Sequence, residues 1–199
     1  MKDFIATELR KSVDTLSAIL AAPDLVALIE VVAGCCVTAL RNGNKILLAG
    51  NGGSAADAQH LAAELVGRLS FDRPGLAAFA LTTDTSALTG IGNDYGFDRL
   101  FSRQVEAVGR PGDVFFGIST SGRSPNVLNA LRVCRDRSIV TIGLTGQHGG
   151  DMPPLCDHCF RMPSTETPKI QEGHIVVGHI LFALVEREMF GALRTPRPS

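Results

Sequence analysis

Charge of neither sign accumulates in this sequence. Nineteen Lys and Arg stand against twenty Asp and Glu, a formal net charge of -1 at pH 7, and no long basic run is present. Phosphate-backbone binding needs clustered cations, so nucleic acid is not the expected partner; a small molecule or another protein is. Long apolar runs are missing as well. No stretch reaches the roughly 20 uncharged apolar residues that span a bilayer. The opening "MKDFIATELRKS" carries charges where a secretory signal would need an apolar core, and a cytoplasmic location is expected. Five cysteines are an odd number that makes no disulfide framework and fits a reducing compartment. "CDHC" (Cys156 to Cys159) has C-x-x-C spacing, but no second pair completes a zinc knuckle. It reads as two half-buried thiols leading into a strand in preference to a metal or redox site. A G-x-x-x-x-G-K-[ST] loop is absent, which argues against ATP chemistry.

What the chain does have is apolar material: 45% hydrophobic against 20% charged residues in 199 positions, enough for one good-sized core and a single globular domain. Residues 3 to 42 read as two helices broken at "AAPD", with Asp24 as the cap of the second. Leu16, Ile19 and Leu20, then Leu28, Ile29 and Val32, recur at helical spacing, so each helix has an apolar face to cover. From Lys45 the texture changes to short apolar runs: "KILLAG", "AAFALT", "DVFFGIS", "IVTIGLT" and "HCFRMP", alternating with helix-like segments. That alternation predicts an α/β sandwich with a parallel sheet of about five strands covered on both faces. A last helix, roughly 169 to 190, is apolar along "HIVVGHILFALV" and is expected to be buried. "RTPRPS" reads as a flexible tail. The organisation expected is N-terminal helices over 1–42, the α/β domain over 43–191 and the tail over 192–199.

Two segments echo each other. "LLAGNGGSAADA" and "FGISTSGRSPNV" both run from strand through a small hydroxyl-rich loop into a helix. In a parallel sheet both loops would lie at the carboxyl ends of strands, where ligands bind. Glycines let a ligand approach the backbone, and a helix start offers unpaired N–H groups. Ser119, Thr120, Ser121 and Ser124 add four hydroxyls, a set suited to a phosphate monoester. "GNGGSA" also satisfies the loose dinucleotide pattern G-x-G-x-x-A, but the acidic partner is ill placed: Asp72 lies in a turn-like "FDRPG", and Asp84 is too far along. A nucleotide cofactor is therefore the lesser reading.

His60 and Glu64 are four apart on the helix launched by the first loop, hence on one face. The last helix supplies Gln171, Glu172, His174 and His179. Spacing alone leaves open which histidine is core and which is functional, and leaves open that His60 and Glu64 are only an exposed helix pair.

"GNGGSAADAQHLAAEL", "TGIGNDYGFDRLFSRQVEAVGRPGD", "GISTSGRSPNV", "GLTGQHGG" and "PKIQEGHIVVGHI" resemble, in order and spacing, the phosphoheptose isomerases of the sugar-isomerase (SIS) domain superfamily, over nearly the whole chain. The resemblance implies a homotetramer of αβα sandwiches, with active sites completed across subunit contacts through the N-terminal helices. It implies an aldose-ketose isomerase that converts sedoheptulose 7-phosphate to D-glycero-D-manno-heptose 7-phosphate for bacterial surface heptose, lipopolysaccharide included. Carried over by position, Asn51, Gly52, Gly53, Ser54, Glu64, Asn93, Asp94, Ser119, Thr120, Ser121, Ser124 and Gln171 would bind substrate. Glu64 and His179 would be the acid/base pair, and one zinc ion would be held by His60, Glu64, Gln171 and His179. The residues before Ile170 are "TPK" where some relatives carry a carboxylate and an arginine. Two alternatives come with the resemblance: a non-catalytic SIS-domain protein that associates with the replication initiator, and an isomerase of another sugar phosphate. The first branch lacks the carboxylate and last-helix histidine that stand here as Glu64 and His179.

Overall fold

The five apolar runs form one all-parallel sheet in the order β2-β1-β3-β4-β5. In the computed structural model, which describes residues 1–191, the strands are β1 (Ile46–Gly50), β2 (Ala78–Ala80), β3 (Val114–Ile118), β4 (Val140–Thr145) and β5 (His158–Arg161). The tail expected over 192–199 lies outside the described residues. Side chains alternate across a strand, and β1 shows it. Ile46 and Leu48 join the larger core, beneath α2 (Pro23–Arg41), α3 (Gly53–Val66) and α7 (Thr167–Phe190). Leu47 and Ala49 join the second core, beneath α5 (Leu100–Val108) and α6 (Pro125–Asp136). Covered on both faces, β1 and β3 are buried at every residue, which is why they read as continuous apolar runs.

α1 (Lys2–Leu20) and α2 break where expected, but Asp24 is not the cap. The N-cap of α2 is Ala22, with no side-chain hydrogen bond, and Pro23 opens the helix. Proline suits that position because its missing N–H and fixed φ cost nothing there. Asp24 falls inside the first turn, where its charge still opposes the helix dipole. α2 is long and apolar enough to cross a membrane by length and composition alone, yet it carries Asp24 and Glu30 and buries Ile29, Val32, Ala33, Cys36, Val37 and Ala39. α1 buries only Thr15 and Ile19. Phe4, Ile5, Leu9, Val13, Leu16 and Leu20 form an exposed apolar stripe along it.

Two interior features fix α7 against α3. The first is a buried ion pair: Arg73 and Glu186 have side chains at 0% exposure, with Nε donating to Oε1 at 3.1 Å. Arg73 also donates to the carbonyls of Glu64, Leu65 and Gly67, which a helix end leaves without intrahelical partners. Glu186 accepts from the N–H groups of Leu69 and Ser70. One pair thus closes the end of α3, holds the following loop and ties both to α7. The second is a close approach. A Cβ on Gly178 of α7 would sit 2.7 Å from Leu61 Cδ1 of α3, so a glycine there lets the helices come near.

His174 is fully buried on α7, its Nε2–H donating to the Thr145 carbonyl at 3.2 Å. Burial pushes its pKa down to about 4 from 6.5, against the smaller opposing effect of that hydrogen bond. The imidazole is neutral in the fold.

Two outcomes follow. Arg73→Met should cost about 3–5 kcal/mol in denaturant unfolding, because it leaves Glu186 buried and unpaired. Arg73→Met with Glu186→Leu should cost less than the two single changes added together. The unfolded chain takes up a proton at His174 below about pH 6.5, whereas the folded one resists until about 4. Wild type should therefore lose on the order of 3 kcal/mol more stability than His174→Gln as pH falls through that window, with no further divergence below it.

Candidate active site

β1 and β3 are neighbours, so the loops leaving their carboxyl ends lie side by side. At the first, Gly52 adopts φ 55° and N-caps α3, and the N–H groups of Ala55 and Ala56 turn back to the Gly52 carbonyl. At the second, Ser124 N-caps α6 and Gly122 adopts φ 65°. Ser119 Oγ lies 2.9 Å from Ser124 Oγ and 3.4 Å from Ser121 Oγ. The loops are locked together by a reciprocal amide pair: Asn51 Nδ2 donates to Asn126 Oδ1, and Asn126 Nδ2 to Asn51 Oδ1, both at 2.9 Å. Two helix starts and a hydroxyl cluster open onto one crevice, an arrangement chemically suited to an anion. A cavity of about 210 Å³ beside it is lined by Thr120, Ser121, Gly146, Gln147, Ser164 and Thr165. A larger cleft, about 930 Å³, runs along β2 and the amino ends of β1 and β3, lined by Lys45, Arg110 and Asp113 among others, and holds none of these residues.

About two turns along α3 from Gly52, His60 and Glu64 face α7. His60 Nε2 lies 3.3 Å from Glu64 Oε1 and 2.8 Å from His179 Nε2, and the two rings meet edge to face at 5.0 Å. One ligand atom from each of the three residues falls within 4.8 Å of the others. Two imidazole nitrogens at that distance share a proton or face a common cation, and two nitrogens with a carboxylate oxygen suit zinc. It is His179, not His174, that reaches this cluster. His174 is the core histidine, a choice that spacing left open.

Asp57, one turn before His60 on the same face, was missed by sequence reasoning, although the 57, 60, 64 spacing carried the signal. Its Oδ2 is buried and has no hydrogen-bond partner among the described residues. Burial raises its pKa above the usual carboxylate range, and nearby His60 and His179 only partly offset this. Gln171 lies at the other end of the same seam: its Nε2 would be 2.5 Å from a Cβ on Gly53. It overhangs the first loop, and to ligate a metal with His179 it would have to swing along α7. Asn93 and Asp94 lie on α4 (Thr85–Tyr95), exposed, with Asn93 Nδ2 donating to Asp94 Oδ1 at 2.8 Å. Neither hydrogen-bonds to the two loops among the described residues. Asp84 caps α4 by accepting from the Ala87 N–H.

The model of the SIS domain family matches residues 10–146. The phosphoheptose isomerase of Aneurinibacillus thermoaerophilus is 58% identical over 190 residues, covering 96% of both chains. Phosphoheptose isomerase 2 of Campylobacter jejuni is 55% identical over 191 residues, 96% of this chain and 95% of that one. Among solved structures, the phosphoheptose isomerase of Neisseria gonorrhoeae superposes with a TM-score of 0.87 at 44% identity, covering 93% of this chain and 98% of that one. The Francisella tularensis phosphoheptose isomerase gives 0.89 at 35% identity, covering 93% and 97%. With the crevice at β1 and β3 and the cluster on the α3–α7 seam, these likenesses place the chain in the phosphoheptose isomerase family of SIS-domain proteins.

Proposed function

We propose that this protein isomerises sedoheptulose 7-phosphate to D-glycero-D-manno-heptose 7-phosphate, a step toward bacterial surface heptose such as that of lipopolysaccharide. The observation that carries the reading is the convergence of His60, Glu64 and His179 along α3 from an anion site. The separation from Gly52 is about 12 Å of helix axis to His60 and about 18 Å to Glu64, whose side chains lean back toward the helix start, a span that suits an extended sugar phosphate with its anion at one end and its carbonyl at the other.

Aldose-ketose isomerisation moves a proton between C1 and C2 through an enediol and needs acid/base groups at those carbons. Asn51, Gly52, Gly53, Ser54, Ser119, Thr120, Ser121 and Ser124 hold the phosphate end, and Gln171 contacts the sugar from above the first loop. Glu64 takes the proton from carbon, and His179 passes a proton to and from the neighbouring oxygen. His60 bridges them. The donor set fits a zinc ion held by His60, Glu64 and His179, with Gln171 as the fourth ligand implied by the resemblance. When bound, such an ion supplies a charge that polarises the carbonyl.

The exposed stripe of α1 supports a role for residues 1–42 in assembling a homotetramer. Asn93 and Asp94, unattached to the loops of their own chain, would then serve a neighbouring site. We place the enzyme in the cytoplasm, where its sugar-phosphate substrate would be made and used.

Glu64→Gln and His179→Gln should each lower kcat by roughly 100-fold or more with the fold intact by circular dichroism, whereas His174→Gln should stay within a few-fold of wild type. Full activity in Glu64→Gln would remove that carboxylate from the reaction. Leu9→Asp with Val13→Asp should shift the protein to smaller species in sedimentation and lower activity. An unchanged assembly would assign the stripe another role. Rates with five-, six- and seven-carbon ketose phosphates, read by direct detection of the aldose phosphate, test the substrate.

A further inference from the structure

The C-x-x-C segment has no part in the chemistry above. Gly143 of β4 stands opposite Cys159 of β5 in the parallel ladder. Its missing side chain leaves a socket that sulfur fills. A Cβ there would lie 2.8 Å from Cys156 Sγ, 3.0 Å from Cys159 Sγ and 3.3 Å from Cε of Met152. Both cysteines are free and half-buried, and Met152 is fully buried. The two intervening residues, which a metal knuckle might have recruited, are engaged elsewhere. Asp157 Oδ2 accepts from Thr141 N and Thr141 Oγ1, each at 2.8 Å. His158, its neighbours on the strand pointing to the other face, turns to Cys35 Sγ at 3.8 Å. The nearest atoms to the socket are the two thiol sulfurs and the S-methyl of Met152, whose thioether sulfur is one bond further back.

Hard cations seek oxygen, and zinc seeks four N, O or S ligands, whereas thiolate and thioether together select Cu(I). We infer that Cys156, Cys159 and Met152 form a binding site for a soft monovalent cation of the Cu(I) type, separate from the His60–Glu64–His179 cluster. Binding exchanges the two thiol protons for the ion and transfers no electron, so no oxidant is required. The resulting dithiolate complex carries one net negative charge, and Arg135 and Arg161 lie within electrostatic range of Cys156 and Cys159 respectively to offset it.

The test is competition for Cu(I) against a chromogenic Cu(I) chelator, anaerobically with ascorbate as the reductant, on the full-length protein. Wild type should withdraw one equivalent. Cys156→Ser and Cys159→Ser should each weaken that withdrawal by roughly 100-fold or more, and Met152→Leu by about tenfold. Cys35→Ser and Glu64→Gln should compete like wild type. Circular dichroism and melting temperature, unchanged in the serine variants without copper, separate loss of ligands from loss of fold. Failure of wild type to withdraw copper, or competition as strong as wild type by either serine variant, would overturn the assignment, as would loss of binding in Glu64→Gln.

Discussion

The seam between α3 and α7 is the contact on which the site depends. The two helices come from distant parts of the chain, α3 carrying His60 and Glu64 of the ionisable cluster and α7 carrying His179. They meet closely because Gly178 offers no Cβ to Leu61, and they are held in register by the Arg73–Glu186 pair. That pair does more than join two charges: through Arg73 it caps the end of α3 at the carbonyl of Glu64 itself. A buried ion pair is weak evidence for net stability, and its value here is geometric. It fixes the carboxylate of one helix relative to the imidazole of the other, where a small displacement would separate the groups that the proposed reaction brings to adjacent carbons.

The anion crevice rests on a different constraint, the topology of the sheet. β1 and β3 are adjacent although not consecutive, so the chain departs to opposite sides at their carboxyl ends and two helix starts open onto one point. The Asn51–Asn126 pair joins the two loops, so they form one rigid receptor. On the proposed reading, a phosphate held there would leave the rest of a linear substrate to run along α3 toward His60 and Glu64.

Much of this was legible in the sequence. The central strands β1, β3 and β4 announced themselves as unbroken apolar runs because both faces are buried, and the two loops as echoes of each other because each leads from a strand end into a helix start. What was not legible depends on tertiary contact. His174 and His179 are indistinguishable by periodicity; only the positions of β4 and α3 show that the first meets a backbone carbonyl and the second another histidine. Asp57 drew no attention in the sequence, because the burial of its Oδ2 is a tertiary property. Arg73 sat in a turn-like "FDRPG" that gave no hint of a buried guanidinium, since its partner is far away in sequence. Asp24 was misplaced by preferring a capping side chain to the proline beside it. Asn93 and Asp94 entered by resemblance alone, and the single chain leaves them apart from the loops.

The central claim is that a carboxylate and an imidazole on the α3–α7 seam carry a proton between two carbons of a phosphate-anchored sugar. Running the isomerisation of sedoheptulose 7-phosphate in deuterium oxide and locating the label in the aldose product tests it most directly. Proton transfer through protein groups that exchange with solvent predicts deuterium at C2 of the heptose 7-phosphate. A product formed at full rate with no deuterium at C2 would contradict the account, because the hydrogen would have passed directly from carbon to carbon.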